Sequence, residues 1–251
     1  MKIQVLSKIL IVSALLLPMT SLATASEIIV IPYNTKSPEL QGYLCLPKKP
    51  GPSPAVIFNH GGVGHIVRGS PKQICLLVAQ AGYIGFAPIR RKNRQMHGHL
   101  QDVMEAFRFV KNLDKVNPER IAMIGFSRGG LLTLMAGRKT SKLRALVLMA
   151  PAKGRGHLSD ELEHAHQITM PVLLMVASND TGSRRTMGQN LVDASKTIDT
   201  ALQNAGANSS LIIYPAFERR ENHEIIRSGH TLFFQPGPYW RDILVFLGKY
   251  L

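Results

Sequence analysis

Three polar residues, far apart in the chain, are of the types that together make a hydroxyl reactive. Ser127 stands in Gly125-Phe126-Ser127-Arg128-Gly129, between an apolar run and an Ala/Leu/Met-rich stretch of helical period. G-x-S-x-G at a strand-to-helix junction is a nucleophile-elbow pattern: glycines two positions either side let the turn close tightly and lift the serine oxygen clear of the backbone. A serine hydroxyl attacks a carbonyl only when a base takes its proton and a carboxylate orients that base. "PVLLMVASND" delivers Asp180 just past a buried run, and "RSGHTLFF" places His230 before the last helical stretch. The order Ser127, Asp180, His230 is the one that an α/β fold with such an elbow uses. The chain has nine histidines. His223 lies in the same long loop as His230 and is the competing base, but His230 follows Gly229 and leads directly into Leu232-Phe233-Phe234.

Acyl transfer also needs donors for the oxyanion. "VIFNHGGVG" puts His60-Gly61-Gly62 at the end of an earlier apolar run, so the backbone N–H groups of Gly61 and Gly62 are expected to serve with that of Arg128, while His60 holds the loop. A basic run, Arg90-Arg91-Lys92-Asn93-Arg94, follows another strand-like segment. It reads either as a solvated loop or, through Arg90 and Arg91 with help from Arg128, as a receptor for a carboxylate or phosphate on the substrate. Asp102, Glu105 and Lys111, on the next helical stretch, read as an exposed face.

The elements that must position these residues follow from the periodicity. Strand-like runs occur at 28–32, 40–46, 55–59, 83–88, 121–126, 145–150, 172–177 and 211–214. Several are continuously apolar, as strands covered on both faces are. Helical patterns fall at 71–81, 100–113, 130–138, 184–205 and 239–251. Alternation of this kind predicts an α/β domain with a mostly parallel sheet and helices on both faces. The first two strands, joined by "NTKSPEL", are expected to form an antiparallel hairpin at one edge. Between Ala150 and Met170 there is room for one short helix near 159–167, which predicts a minimal cap and a site open to modest, water-soluble substrates.

The chain begins with Lys2 and Lys8, an apolar stretch from Ile9 to Leu17, and Ala23-Thr24-Ala25. That sequence has the form of a secretory signal cleaved after Ala25, which implies a periplasmic or secreted protein whose remaining chain, 26–251, is one domain. The apolar stretch is too short to span a bilayer. A formal charge of +14 favours anionic surfaces or ligands. Nucleic acid is disfavoured, because the basic residues are scattered rather than interleaved with aromatics. The two cysteines, Cys45 and Cys75, fall in an apparent strand and an apparent helix and are expected to be separate buried thiols rather than a disulfide. Neither has metal-ligand spacing with a histidine, and nothing in the pattern fixes the oligomeric state.

His60-Gly61-Gly62, Gly125-Phe126-Ser127-Arg128-Gly129-Gly130, Asp180 and His230 resemble the α/β-hydrolase superfamily, and within it the dienelactone hydrolase-like branch, whose members share features with prolyl oligopeptidase-type catalytic domains. The resemblance covers nearly all of the chain after the leader. It implies hydrolysis of carboxylic esters through an acyl-enzyme, with no metal and no organic cofactor. Two departures stand out: dienelactone hydrolases proper usually carry a cysteine nucleophile where this chain has Ser127, and the loop from Pro215 to His230 is longer than the usual connection. A serine peptidase and a catalytically silent binding protein on the same scaffold are the alternatives.

Overall fold

The computed structural model describes residues 27–93, 96–221 and 223–251; the expected leader, 1–25, and Arg94 of the basic run lie outside the described residues. Its centre is an eight-stranded sheet in the order β1-β2-β4-β3-β5-β6-β7-β8. The strands are β1 (Glu27–Pro32), β2 (Gln41–Leu46), β3 (Ser53–Asn59), β4 (Ile84–Pro88), β5 (Val116–Phe126), β6 (Ala145–Met149), β7 (Val172–Ala177) and β8 (Ser209–Tyr214). β1 and β2 form the expected antiparallel hairpin, with Glu27 opposite Leu46, and β2 joins β4 antiparallel. From β4 to β8 the neighbours run parallel.

Continuously apolar strands sit where both faces are covered. β4, β6 and β7 are buried at every residue, as is β5 from Ile121 to Phe126. Parallel strands need long crossovers, and helices supply them: α1 (Pro71–Gln80), α2 (His99–Lys111), α3 (Arg128–Lys139), α4 (His157–Leu162), α5 (Leu191–Asn204) and α6 (Trp240–Tyr250). α3 packs on β5 and β6, α5 on β7 and β8, and α2, α3, α4 and α5 touch in succession. α4, with a single 3₁₀ turn at Ala165–Gln167, is the only structure between β6 and β7, so the cap is as small as expected.

Four expectations need correction. Cys45 and Cys75 are joined in a disulfide, Cα–Cα 5.7 Å, because α1 packs back onto β2 as well as β4. The helix expected over 184–205 is interrupted: a 3₁₀ turn at Arg184–Thr186 ends at Met187 in the left-handed region (φ 53°), and α5 begins only after Asn190. Asn190 is the reason, since its side chain caps the Asp193 N–H at 3.1 Å. The long loop before His230 contains an unforeseen hairpin, β9 (Arg219–Glu221) and β10 (Glu224–Ile226). Finally, Asp102 is fully buried instead of lying on an exposed face.

Candidate active site

Ser127 links β5 to α3 with φ 54° and ψ −117°, a strained conformation for a residue with a side chain. The flanking glycines make it possible. A Cβ on Gly129 would lie 1.9 Å from the Asn59 carbonyl oxygen on β3, and one on Gly125 would lie 2.2 Å from the Gly129 oxygen. β3 and β5 are adjacent in the sheet, so the turn must pass against the neighbouring backbone, and only glycine leaves room. The Ser127 N–H is fixed to the Met149 carbonyl at 2.8 Å.

His230 sits in a 3₁₀ turn, Gly229–Phe233, and its Nε2 is 3.1 Å from the Ser127 Oγ. Its Nδ1 is 2.8 Å from Asp180 Oδ2. An ionised carboxylate can only accept, so Nδ1 donates to Asp180 and Nε2 is left to accept the serine proton. Asp180 and His230 are both buried, which excludes water from the pair. Phe126 packs against the imidazole with ring centroids 4.8 Å apart, and Phe234 approaches it edge-on at 6.1 Å. His223 is exposed in the turn between β9 and β10. Thus the serine, acid and base chosen from sequence are brought together across 103 and 50 residues of chain.

Asn179 is a site residue that sequence reading missed. Its side chain donates to the Phe217 carbonyl and accepts the Phe217 N–H, both at 2.9 Å, tying the loop after β8 to the loop carrying Asp180. Its place beside Asp180 was the one available signal.

The oxyanion donors divide unequally. The Gly61 N–H donates to the Arg68 carbonyl at 3.0 Å, and the Arg68 N–H returns to the Gly61 carbonyl at 3.2 Å. Gly61 is therefore committed to its own loop and cannot serve. Gly62 has φ 94°, and a Cβ there would strike the Ile66 carbonyl at 2.0 Å. Among the described residues its N–H meets no acceptor. Arg128 opens α3, so its N–H is directed out of the helix N-terminus.

Behind this loop lies a buried polar layer. His60 Nδ1 is 2.7 Å from the Gly61 carbonyl, and its Nε2 accepts the Arg90 N–H at 3.3 Å. Burial and the Arg90 charge hold His60 well below the usual histidine range, so it is neutral and donates from Nδ1. Arg90 is itself buried, and burial and Arg128 press its guanidinium below the ordinary arginine value. Its Nε and Nη1 meet no hydrogen-bond partner among the described residues. Arg91 is engaged by Asp102, which accepts its N–H at 3.0 Å and its guanidinium at 2.6 Å. Of the two arginines singled out in the basic run, Arg90 is thus built into the scaffold, while Arg91, a third exposed, is tied to it by Asp102. Among the described residues no group of three or more His, Cys, Asp or Glu converges as a metal site would require.

A serine raised on a strand-to-helix turn, at the carboxyl edge of a mostly parallel sheet, defines the α/β-hydrolase fold, and solved structures agree. The putative dienelactone hydrolase of Klebsiella pneumoniae superposes with TM-score 0.68 at 18% identity, over 90% of this chain and all of that one. The hyperthermophilic esterase of Pyrobaculum calidifontis gives 0.66 at 19%, over 90% and 84%. The Pyrococcus horikoshii acylaminoacyl peptidase gives 0.67 at 17%, over 91% of this chain but 42% of the peptidase. Residues 89–228 match the model of the dienelactone hydrolase family, and the chain belongs to that family. The match includes Ser127 and Asp180 and stops short of His230. A curated relative, the uncharacterized peptidase YtmA of Bacillus subtilis, is 28% identical over 110 residues; the match spans 41% of this chain and less than half of the relative.

Proposed function

We propose that this protein is a serine hydrolase that cleaves carboxylic esters of small to medium size through an acyl-enzyme. Ser127 attacks the carbonyl, His230 takes its proton and later returns it to the leaving alcohol, and Asp180 holds the imidazole in the required tautomer. Gly62 and Arg128 N–H groups stabilise the oxyanion, each donor being worth roughly 3–4 kcal/mol in the transition state. Water then attacks the acyl carbon with the same histidine as base. The observation that carries this reading is the continuous hydrogen-bonded line from Asp180 through His230 to Ser127, 2.8 and 3.1 Å, at a strained elbow. His60 and Arg90 hold the oxyanion loop, and the excess of basic residues favours substrates that carry negative charge.

The protein acts outside the cytoplasm in this proposal, delivered by the leader ending at Ala25. The Cys45–Cys75 disulfide supports it, because such bonds persist mainly in oxidising compartments. The names of two relatives favour a second reading, peptide hydrolysis. The test is purified Ser127→Ala with p-nitrophenyl acetate and a matched p-nitroanilide. Ester turnover is expected to fall about 10⁴-fold or more with the fold intact, and a fluorophosphonate probe is expected to label Ser127. Turnover within tenfold of wild type would end the serine reading, and a preference for the anilide would move the protein to the peptidases.

A further inference from the structure

Both nitrogens of the His230 ring are engaged in its own plane, Nδ1 with Asp180 and Nε2 with Ser127. The face of the ring is the surface that these bonds leave open, and Phe126 lies against it. The two ring centroids are 4.8 Å apart with 33° between the planes, inside the roughly 6 Å over which an aromatic face attracts a cation. Phe234 also approaches the imidazole, but at 6.1 Å and 81°. Phe126 is fully buried, so water does not screen the contact.

The same ring meets the oxyanion loop. A Cβ on Gly61 would lie 2.7 Å from Phe126 Cδ1 and 3.0 Å from Cε1, and one on Gly69 would lie 3.1 Å from Cδ1. Gly61 and Arg68 bridge across the base of that loop, so both of its arms rest on the Phe126 ring at glycines. Phe233 and Phe234, at 6.0 and 5.9 Å, hold the ring from the segment that follows His230. The elbow pattern leaves position 126 free in type. An aromatic residue there, accommodated by two glycines of another loop, is therefore explained by what it touches.

We propose that Phe126 is a positioning residue whose ring face stabilises the His230 imidazolium and whose Cδ1–Cε1 edge sets the distance of the oxyanion loop from it. In acylation the proton passes from Ser127 Oγ to His230 Nε2 as Oγ bonds the carbonyl carbon. In deacylation it passes from water to the same nitrogen as the water oxygen bonds the acyl carbon. The imidazolium forms in both steps, beside a carboxylate that stays ionised. Weakening the Phe126 face slows both steps by a similar factor, so kcat falls while KM, which depends on binding and on the ratio of the two steps, holds. This role deepens the serine-hydrolase reading above and rests on it.

Phe126→Leu removes the ring face but also alters the packing against Gly61 and Gly69, so the deciding variants carry 4-fluoro- or 3,4,5-trifluorophenylalanine at position 126, introduced by stop-codon suppression. Fluorine drains negative charge from the ring face and leaves its shape nearly intact. The trifluoro analogue at Phe109, which packs on Phe86 from α2, controls for the insertion itself. With p-nitrophenyl acetate, kcat is expected to fall stepwise, by about fivefold or more with three fluorines and by less with one. KM is expected to stay within about twofold, and melting temperatures within about 2 °C. Labelling of Ser127 by a fluorophosphonate needs the same proton transfer and is expected to slow in the same order, while the Phe109 control matches wild type. Fluorinated proteins with the wild-type kcat and labelling rate, or a loss confined to KM, overturn the proposal. A wild type that is labelled at Ser127 yet hydrolyses no ester removes the ester reading alone, and the labelling series then decides the role of Phe126. A wild type that is not labelled overturns both.

Discussion

Replacing both cysteines, Cys45→Ala/Cys75→Ala, removes a cross-link that closes a loop of 30 residues. In the chain-entropy treatment, a loop of that length raises the free energy of the unfolded state by about 3.5 kcal/mol. The sulfurs are buried, so the two small voids left behind add to the loss, by roughly 1 kcal/mol between them. For a chain of this size each kcal/mol moves the melting temperature by about 2–4 °C. The variant should therefore melt roughly 9–18 °C below the oxidised protein. Calorimetric melts of wild type and variant provide the comparison. Thiol titration of wild type in denaturant without reductant is expected to find no free thiol. Because the bond is buried, a small reductant should act only after heating or denaturant opens the β2–α1 packing. Ester turnover by the folded variant should change little, since the link lies outside the Ser127–His230–Asp180 line. Two free thiols in the oxidised protein, or melts within about 2 °C of each other, would refute both the bond and the reasoning.

His230→Ala should lose nearly as much turnover as Ser127→Ala, whereas His223→Ala should lose little, and the reverse order in steady-state assays would relocate the base. Asp102→Asn takes the carboxylate from Arg91, whose side chain is a third exposed and stays hydrated, and should cost about 1.5–3 kcal/mol in urea unfolding; it should also lower kcat, because Arg91 adjoins the Arg90 N–H that holds His60, and a loss below about 1 kcal/mol would contradict the geometry. Acid should destabilise the fold through His99, which burial and the charges of Arg90 and Arg128 hold down to about 4. The unfolded chain takes up that proton near pH 6.5 and the folded chain does not, so stability is full above 6.5 and falls as the pH drops toward 4. Urea midpoints at pH 7.5 and 4.5 should differ less in His99→Gln than in wild type, and equal differences would exclude His99 as a source.

Residues 125–129 carried their own instructions, because a tight turn between a buried strand and a helix depends on local sterics that glycine spacing records directly. The parallel sheet was equally legible: β5, β6 and β7 are apolar at every buried position, and only strands covered on both faces can be so. That Asp180 and His230 would lie within reach of Ser127 was legible from their stations after later strands, since chain order and sheet order are linked by short right-handed crossovers. What depended on distant contact was not legible. The Cys45–Cys75 bond arises from α1 folding back across β2, the burial of Asp102 from its pairing with Arg91 on the preceding loop, and the loss of the Gly61 N–H from a bridge to Arg68. Each is a choice among partners that are equivalent by type and differ only in distance. Local periodicity fixes which residues face inward, but only the packed chain decides which buried polar group meets which, and that pairing engages the Gly61 N–H with Arg68 while the Gly62 N–H meets no acceptor among the described residues.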